Sequence, residues 1–166
     1  MSNALKNRIG QGVDVHQLVA GAPLVIGGVS IPFPSGSMGH SDGDVLYHAI
    51  VDAILGALAL GDIGQYFPSD DERWRDVPSR KFLEHAKQLM QEKGYTAVNI
   101  DSTVILQTPE LRSYISEMRK NIARFLSISV DAVSVKATTT DHLGFTGSGD
   151  GITATAVALL TKKNGN

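Results

Sequence analysis

The chain contains no cysteine. Disulfides, thiolate metal sites and cysteine nucleophiles are therefore excluded, and any metal held here must be held by nitrogen and oxygen donors. No apolar run approaches the ~20 residues that a membrane span needs, and the first ten residues are too polar for a signal peptide. The expectation is a cytoplasmic protein with no membrane partner. Charge of one sign is scarce as well. Fifteen basic and 17 acidic residues leave a net charge of −2, which gives no broad basic field for nucleic acid. No repeat, linker or composition shift divides the chain. Its 166 residues with 42% hydrophobic content suffice for one domain with its own core. We read that domain as residues 8–161, with tails at 1–7 and 162–166.

What is present is organised around His40-Ser41-Asp42-Gly43-Asp44 and the apolar run that follows. Val45, Leu46, Ala49, Ile50, Ala53 and Ile54 recur at helical spacing and predict a helix from about Asp42 to Leu60 with one buried stripe. Ser41 or Asp42 is the expected cap, and Gly61-Asp62-Ile63-Gly64 the expected exit. Upstream, a strand is predicted from Arg8 to near His16, then a hairpin over Leu24–Pro32 turning at Gly27-Gly28. Pro34-Ser35-Gly36-Ser37 reads as a loop, as does Tyr66–Asp71. Downstream, Ser79 opens a helix that Gly94 ends, and Val98–Leu106 reads as a strand with Val98, Ile100, Ser102, Val104 and Leu106 on one face. Pro109 starts a third helix with a stripe over Tyr114, Ile115, Met118, Ile122, Phe125 and Leu126. Strands at Val133–Thr139 and Ile152–Leu160 flank a glycine-rich loop, Asp141–Gly151. The fold class is α/β: a single-domain mixed β-sheet covered by helices.

Asp14 and His16 lie two apart, so a strand puts both on one face. His48 lies on the predicted helix with Asp44 and Asp52 one turn to either side. A lone histidine beside an apolar stripe is more often an ordinary core or surface residue. Two clusters change the weighting, since one carboxylate and two imidazoles form a common three-ligand set for catalytic zinc. Asp44 or Asp52 is then expected to take the free N–H of a ligand histidine. His40 and Ser41, beside exposed backbone N–H groups, suit a phosphate. Thr138, Thr139 and Thr140 offer hydroxyl donors at a strand end, beside Lys136, which has no acid near it in sequence. Asp141 suits Mg²⁺ held mainly by substrate phosphates. Gly144–Gly151 lacks the lysine and the strand-then-helix context of a P-loop.

These segments resemble the 2-C-methyl-D-erythritol 2,4-cyclodiphosphate synthase family of the non-mevalonate isoprenoid pathway. The resemblance rests on Arg8-Ile9-Gly10-x-Gly12-x-Asp14-Val15-His16, Ile26-Gly27-Gly28-Val29-x-Ile31-Pro32, His40-Ser41-Asp42-Gly43-Asp44-Val45, Ala59–Gly64, Lys136–Thr140 and Leu143–Gly147. It runs from about Arg8 to Leu160. It implies a homotrimer with active sites at subunit interfaces, and conversion of a cytidine-diphosphate substrate to a cyclic diphosphate with release of CMP. It implies Zn²⁺ on Asp14, His16 and His48, and a second divalent cation, Mg²⁺ or Mn²⁺, near Asp141. His40 and Thr139 match residues that stabilise the transition state. Substrate contacts are implied for Val15, Ser41, Asp62, Ile63 and Gly64, and for the loop Phe67, Pro68, Ser69, Asp70 and Asp71. Leu106, Pro109 and Leu111 match the cytidine frame, beside Thr138, Thr140 and Phe145.

The chain departs from the family pattern at Ser69-Asp70-Asp71, where Asp-Thr-Asp is common. It carries Asp141 where glutamate is usual, Gln107-Thr108-Pro109-Glu110 where Gln-Ala-Pro-Lys is common, and Ser148 where an arginine often faces a central trimer cavity. A phosphoesterase using metal-bound water, a non-catalytic nucleotide-binding module and a trimeric structural protein are the competing readings.

Overall fold

In a computed structural model the chain is described over residues 6–39, 41–75 and 77–163. His40 therefore lies outside the described residues. A five-stranded mixed sheet has the order β4-β1-β7-β5-β6, built from β1 (Asn7–Ala20), β4 (Ser35–Ser37), β5 (Tyr95–Ile105), β6 (Val133–Thr138) and β7 (Gly151–Lys162). All pairings are antiparallel except β5 with β6. The short strands β2 (Leu24–Ile26) and β3 (Val29–Ile31) form the expected separate hairpin, with Gly27 and Gly28 both at positive φ in its turn.

The helices α1 (Val45–Ala57), α3 (Arg80–Glu92) and α4 (Ile115–Leu126) pack on one side of this sheet. The other side carries Ile9, Val13, Val15 and Val157, all exposed. The expected covering by helices is thus one-sided. Helix α1 is the centre of the core. It buries residues on nearly every side rather than along one stripe. Gly10 and Gly12 on β1 explain how close it lies. A Cβ at either position would come within 1.9 Å of a backbone oxygen of α1, Ala53 O or Ala49 O respectively. Below the helix, β7 offers buried Ala154, Ala156 and Ala158. Small residues on both strands let the helix backbone rest against the sheet.

Several sequence-based expectations give way to tertiary context. Strand β1 runs four residues past His16, and β4 pairs with this extension where a loop was expected. Asp44, not Ser41 or Asp42, caps α1; its carboxylate accepts from the N–H of Tyr47, Gly27 and Gly28. Ala59, at φ 57°, ends the helix in place of a glycine, with Leu60 N–H donating to Leu55 O and Ala59 N–H to Gly56 O. Gly61–Gly64 leads instead into a one-turn helix α2 (Ile63–Tyr66). Ser79 stands at the start of α3 but makes no side-chain cap bond. A bulge at Ala97/Asn99 turns Val98 out of the buried row of β5. Pro109, after a cis peptide bond, lies in a loop six residues before α4. The glycine-rich loop contains a one-turn helix α5 (Gly144–Gly147). Lys136 does have an acid beside it: Asp101 on the neighbouring strand, at 2.6 Å. Asn7 and Lys162, read as tail residues, lie in the paired strands.

Candidate metal centre and its cavity

The close fit of α1 on β1 decides what happens at the end of the glycine row. Gly10, Gly12, Asp14 and His16 alternate along β1 toward the helix, and His48 precedes Ala49, the residue that Gly12 touches. Asp14 Oδ2 lies 2.8 Å from His16 Nε2 and 3.1 Å from His48 Nδ1. The two ring nitrogens are 3.2 Å apart. Among the described residues this is the group able to hold a metal ion.

The outward nitrogens fix the tautomers. His16 Nδ1 is 3.0 Å from the Met38 carbonyl, which only accepts, so the proton sits on Nδ1. His48 Nε2 is 2.9 Å from Ser79 Oγ. The Ser79 hydroxyl donates to Asp42 Oδ1, so it accepts from His48 Nε2–H. Both inward nitrogens then present lone pairs to the Asp14 carboxylate. Three electron pairs within hydrogen-bond range of one another need a shared cation, and a divalent metal with nitrogen and oxygen ligands fits the set.

The two expected histidine partners serve elsewhere. Asp44 caps α1, and Asp52 accepts from the Ile63 N–H at 2.7 Å, which anchors α2. Met38 and Ser79 take their places; both are far from their histidines in sequence, and no local pattern marks them. Without a metal the shared cation is a proton: burial pushes the Asp14 carboxyl up, but hydrogen bonds and charges from protonated His16 and His48 outweigh it and hold it at about 2. Burial pulls the His16 imidazole down, and Asp14 outweighs this and raises it. Burial lifts Asp44 to about 6 against its three N–H donors and lifts Asp52 as well.

A cavity of about 360 Å³ opens on the His16 and His48 rings. Ser41, Ile63, Gly64, Phe67, Pro68 and Ser69 line it, as expected of substrate-contacting residues. Met38, Trp74 and Phe82 line it too and were not foreseen. Phe67 packs on Phe82 with ring centroids 4.4 Å apart and meets Trp74 edge-on at 4.8 Å, so the loop is anchored by its aromatic side chains. Asp62 caps α2, accepting from Gln65 N–H. Asp71 caps the 3-10 turn at Glu72–Trp74 and pairs with Arg73 at 2.6 Å. Asp70 is exposed on the same loop. Val15 points to the opposite side of β1 and is half exposed.

The remaining candidates gather elsewhere. Leu106 N–H donates to Thr138 O, and His142 N–H to Gln107 Oε1, which joins the 106–111 loop to the end of β6. Leu106 and Leu111 are buried there, Pro109 is half-buried, and Thr138, Thr139 and Asp141 are exposed. Thr140 donates to Leu143 O, and Phe145 is half exposed. Register places this group level with His16: His16 pairs with Ile152, and the next β7 residue, Thr153, pairs with Ile105, which pairs with Thr138. Three strand spacings separate the two clusters, about 14 Å. One protomer does not bring them together.

This arrangement defines a class: a metal-binding α/β protein whose three-ligand centre sits at the mouth of an aromatic-walled cavity. A family model described as the YgbB family matches residues 7–161. A relative from Geobacillus kaustophilus, named 2-C-methyl-D-erythritol 2,4-cyclodiphosphate synthase, is 57% identical over 93% of this chain and 98% of its own length. A structure described as the IspF–CDP complex of Plasmodium falciparum superposes with a TM-score of 0.84 at 39% identity, over 95% of this chain and 97% of that one. The bifunctional IspDF of Campylobacter jejuni superposes with a TM-score of 0.92 at 39% identity, over 95% of this chain and 43% of that longer one. The chain belongs to the YgbB family.

Proposed function

We propose that the chain converts 4-diphosphocytidyl-2-C-methyl-D-erythritol 2-phosphate into 2-C-methyl-D-erythritol 2,4-cyclodiphosphate and CMP. The convergence of Asp14, His16 and His48 on one point beside the cavity carries this reading. An oxygen of the 2-phosphate attacks the β-phosphorus. The bond from that phosphorus to the CMP oxygen breaks, and the electron pair leaves with CMP. The nucleophile belongs to the substrate and is already ionised at neutral pH, so no protein nucleophile or general base is required.

Asp14, His16 and His48 hold Zn²⁺, which when bound supplies Lewis-acid polarisation of a phosphoryl oxygen. Met38 and Ser79 keep both imidazoles in the ligating tautomer. Ile63, Phe67, Trp74 and Phe82 enclose the methylerythritol end and exclude water, and Asp70 is the loop carboxylate left to meet its diol. Holding both ends of one molecule in place replaces a bimolecular encounter, an advantage of up to ~7–11 kcal/mol. His40 and Thr139 donate to the charge that develops on phosphorus. Asp141 would hold the second cation, Mg²⁺ or Mn²⁺, which would neutralise diphosphate charge, and Leu106, Pro109 and Leu111 would frame cytidine.

The 14 Å gap between the clusters supports a homotrimer in which the Thr138–Asp141 end of one protomer faces the metal centre of the next. The exposed row Ile9, Val13, Val15 and Val157 supplies an apolar contact face for it. No described helix is long and apolar enough to cross a membrane, and we place the enzyme in the cytoplasm. The test is phosphorus NMR of the product together with CMP release. Two coupled phosphorus signals are expected. Uncoupled signals from a linear product would replace this reading with a phosphoesterase that uses water.

A further inference from the structure

A second cavity, of about 140 Å³, lies where the first turn of α1 meets the β2–β3 hairpin, the start of α3 and helix α4. None of the side chains named above as metal ligands lines it. Tyr47 stands at its floor. Its side chain is 1% exposed, and its hydroxyl has no hydrogen-bond partner. An orphaned buried hydroxyl costs about 1–3 kcal/mol, so its retention calls for a partner. A Cβ on Gly28, another lining residue, would sit 2.5 Å from the Tyr47 hydroxyl and 3.3 Å from Asn121 Nδ2. Glycine thus keeps the space between these two polar groups open. Asn121 spends one amide hydrogen on Gly27 O at 3.1 Å and has a second to give.

Arg80 and Arg124 stand at the rim, both exposed. Arg124 stacks over the Phe125 ring at 4.8 Å and touches Asn121 Oδ1 at 3.4 Å. Neither guanidinium meets a carboxylate among the described residues. Asp42 is the acid in the wall, and both its oxygens are tied to the other side: Oδ2 accepts from Ser79 N–H, and Oδ1 from Asp44 N–H and the Ser79 hydroxyl. Burial holds the Tyr47 phenol above its usual range, so it keeps its proton and donates. The unspent hydrogens of the cavity are those of the Tyr47 hydroxyl, the Asn121 amide and the two guanidiniums, whose two positive charges outnumber the one negative charge of Asp42 in the wall. A tetrahedral anion with acceptors in every direction matches four separated donors, whereas a planar carboxylate offers two oxygens.

We infer that this cavity is a binding site for a phosphoryl-sized anion, either inorganic phosphate or the phosphate monoester end of a small molecule. Calorimetric titration of the zinc-loaded full chain with inorganic phosphate tests it, on wild type, Arg124→Ala and Tyr47→Phe. Binding about tenfold or more weaker in Arg124→Ala is expected, the loss of one charge-assisted contact. Tyr47→Phe should weaken binding severalfold, while melting no lower than wild type without phosphate, because no partner is lost. Methyl phosphate separates the two sources: equal affinity points to an ester end, and much weaker binding to the free ion. No phosphate binding in the millimolar range would overturn the inference. So would affinity unchanged in both variants, which would assign the phosphate to the metal centre, or acetate binding as tightly as phosphate.

Discussion

At one end of β1, three side chains from a strand and a helix meet within 3.2 Å, and each imidazole is held from behind by a partner of its own. Level with them just past the end of β6, three strands away, Thr139 and Asp141 are exposed, and the Thr139 hydroxyl donates to Asp141 Oδ1 and accepts from Asp141 N–H. Asp141 and His142 there take positive φ without being glycine. The first cluster is finished within a single protomer. The second is an open turn whose polar groups face solvent. The contrast teaches that the fold of one chain brings Asp14, His16 and His48 together but leaves Thr139 and Asp141 apart from them.

The largest effect should come from breaking the finished cluster. Asp14→Asn removes the carboxylate and the Lewis acid it helps to hold, a loss of several kcal/mol of transition-state stabilisation. Turnover should fall by about 10³-fold or more, with CMP release as the measure; unchanged turnover would remove the metal centre from the mechanism.

Metal removal sharpens the same comparison through pH. Asp44 is raised to about 6, so its contribution is fully present below pH 3.8 and is lost as pH rises through 6. That loss amounts to about 3 kcal/mol. His16 is also raised, so its contribution is likewise lost as pH rises through its folded-state pKa. Asp14 is depressed to about 2, so its contribution is present above pH 3.8 and lost as pH falls toward 2. Denaturant melts of metal-free protein should show greatest stability near pH 4 and a decline toward pH 7. Zinc should restore stability most at the neutral end, where the ligands carry no competing protons. A metal-free protein whose stability rises steadily from pH 4 to 7 would contradict these assignments.

Ser79→Ala should be milder, weakening zinc affinity by about 10–100-fold through a looser His48 ring, as measured by competition with a chelator. The smallest effect on the fold should come from the other cluster. Thr139→Ala should change stability by no more than about 0.5 kcal/mol and leave zinc content intact, yet lower turnover. Loss of bound zinc in Thr139→Ala would show that the two clusters are not separable.

The cluster able to hold a metal, Asp14, His16 and His48, was legible because its spacing is physical: two residues apart on a strand, and on the polar side of an apolar helix. The role of Gly10 and Gly12 was legible only as a motif, since the backbone contact they permit appears with α1 in place. Ser79 and Met38 were not legible. Ser79 lies 31 residues from His48, and Met38 acts through a carbonyl that every residue possesses. Pro109 carried a helix-start signal, but the loop it occupies is set by packing against the end of β6. Asp44 displaced Asp42 as the cap because the hairpin N–H groups of Gly27 and Gly28 reach Asp44. Local rules found the long strands and helices but not β4, α2 or α5, and contacts between distant segments decided where the long elements end.

The most direct measurement is X-ray absorption at the zinc edge of the loaded protein. Two imidazole nitrogens and one carboxylate oxygen at about 2.0–2.2 Å are expected, with the imidazole signal reduced in His48→Ala. A zinc site without histidine back-scattering, or one unchanged by His48→Ala, would contradict the account.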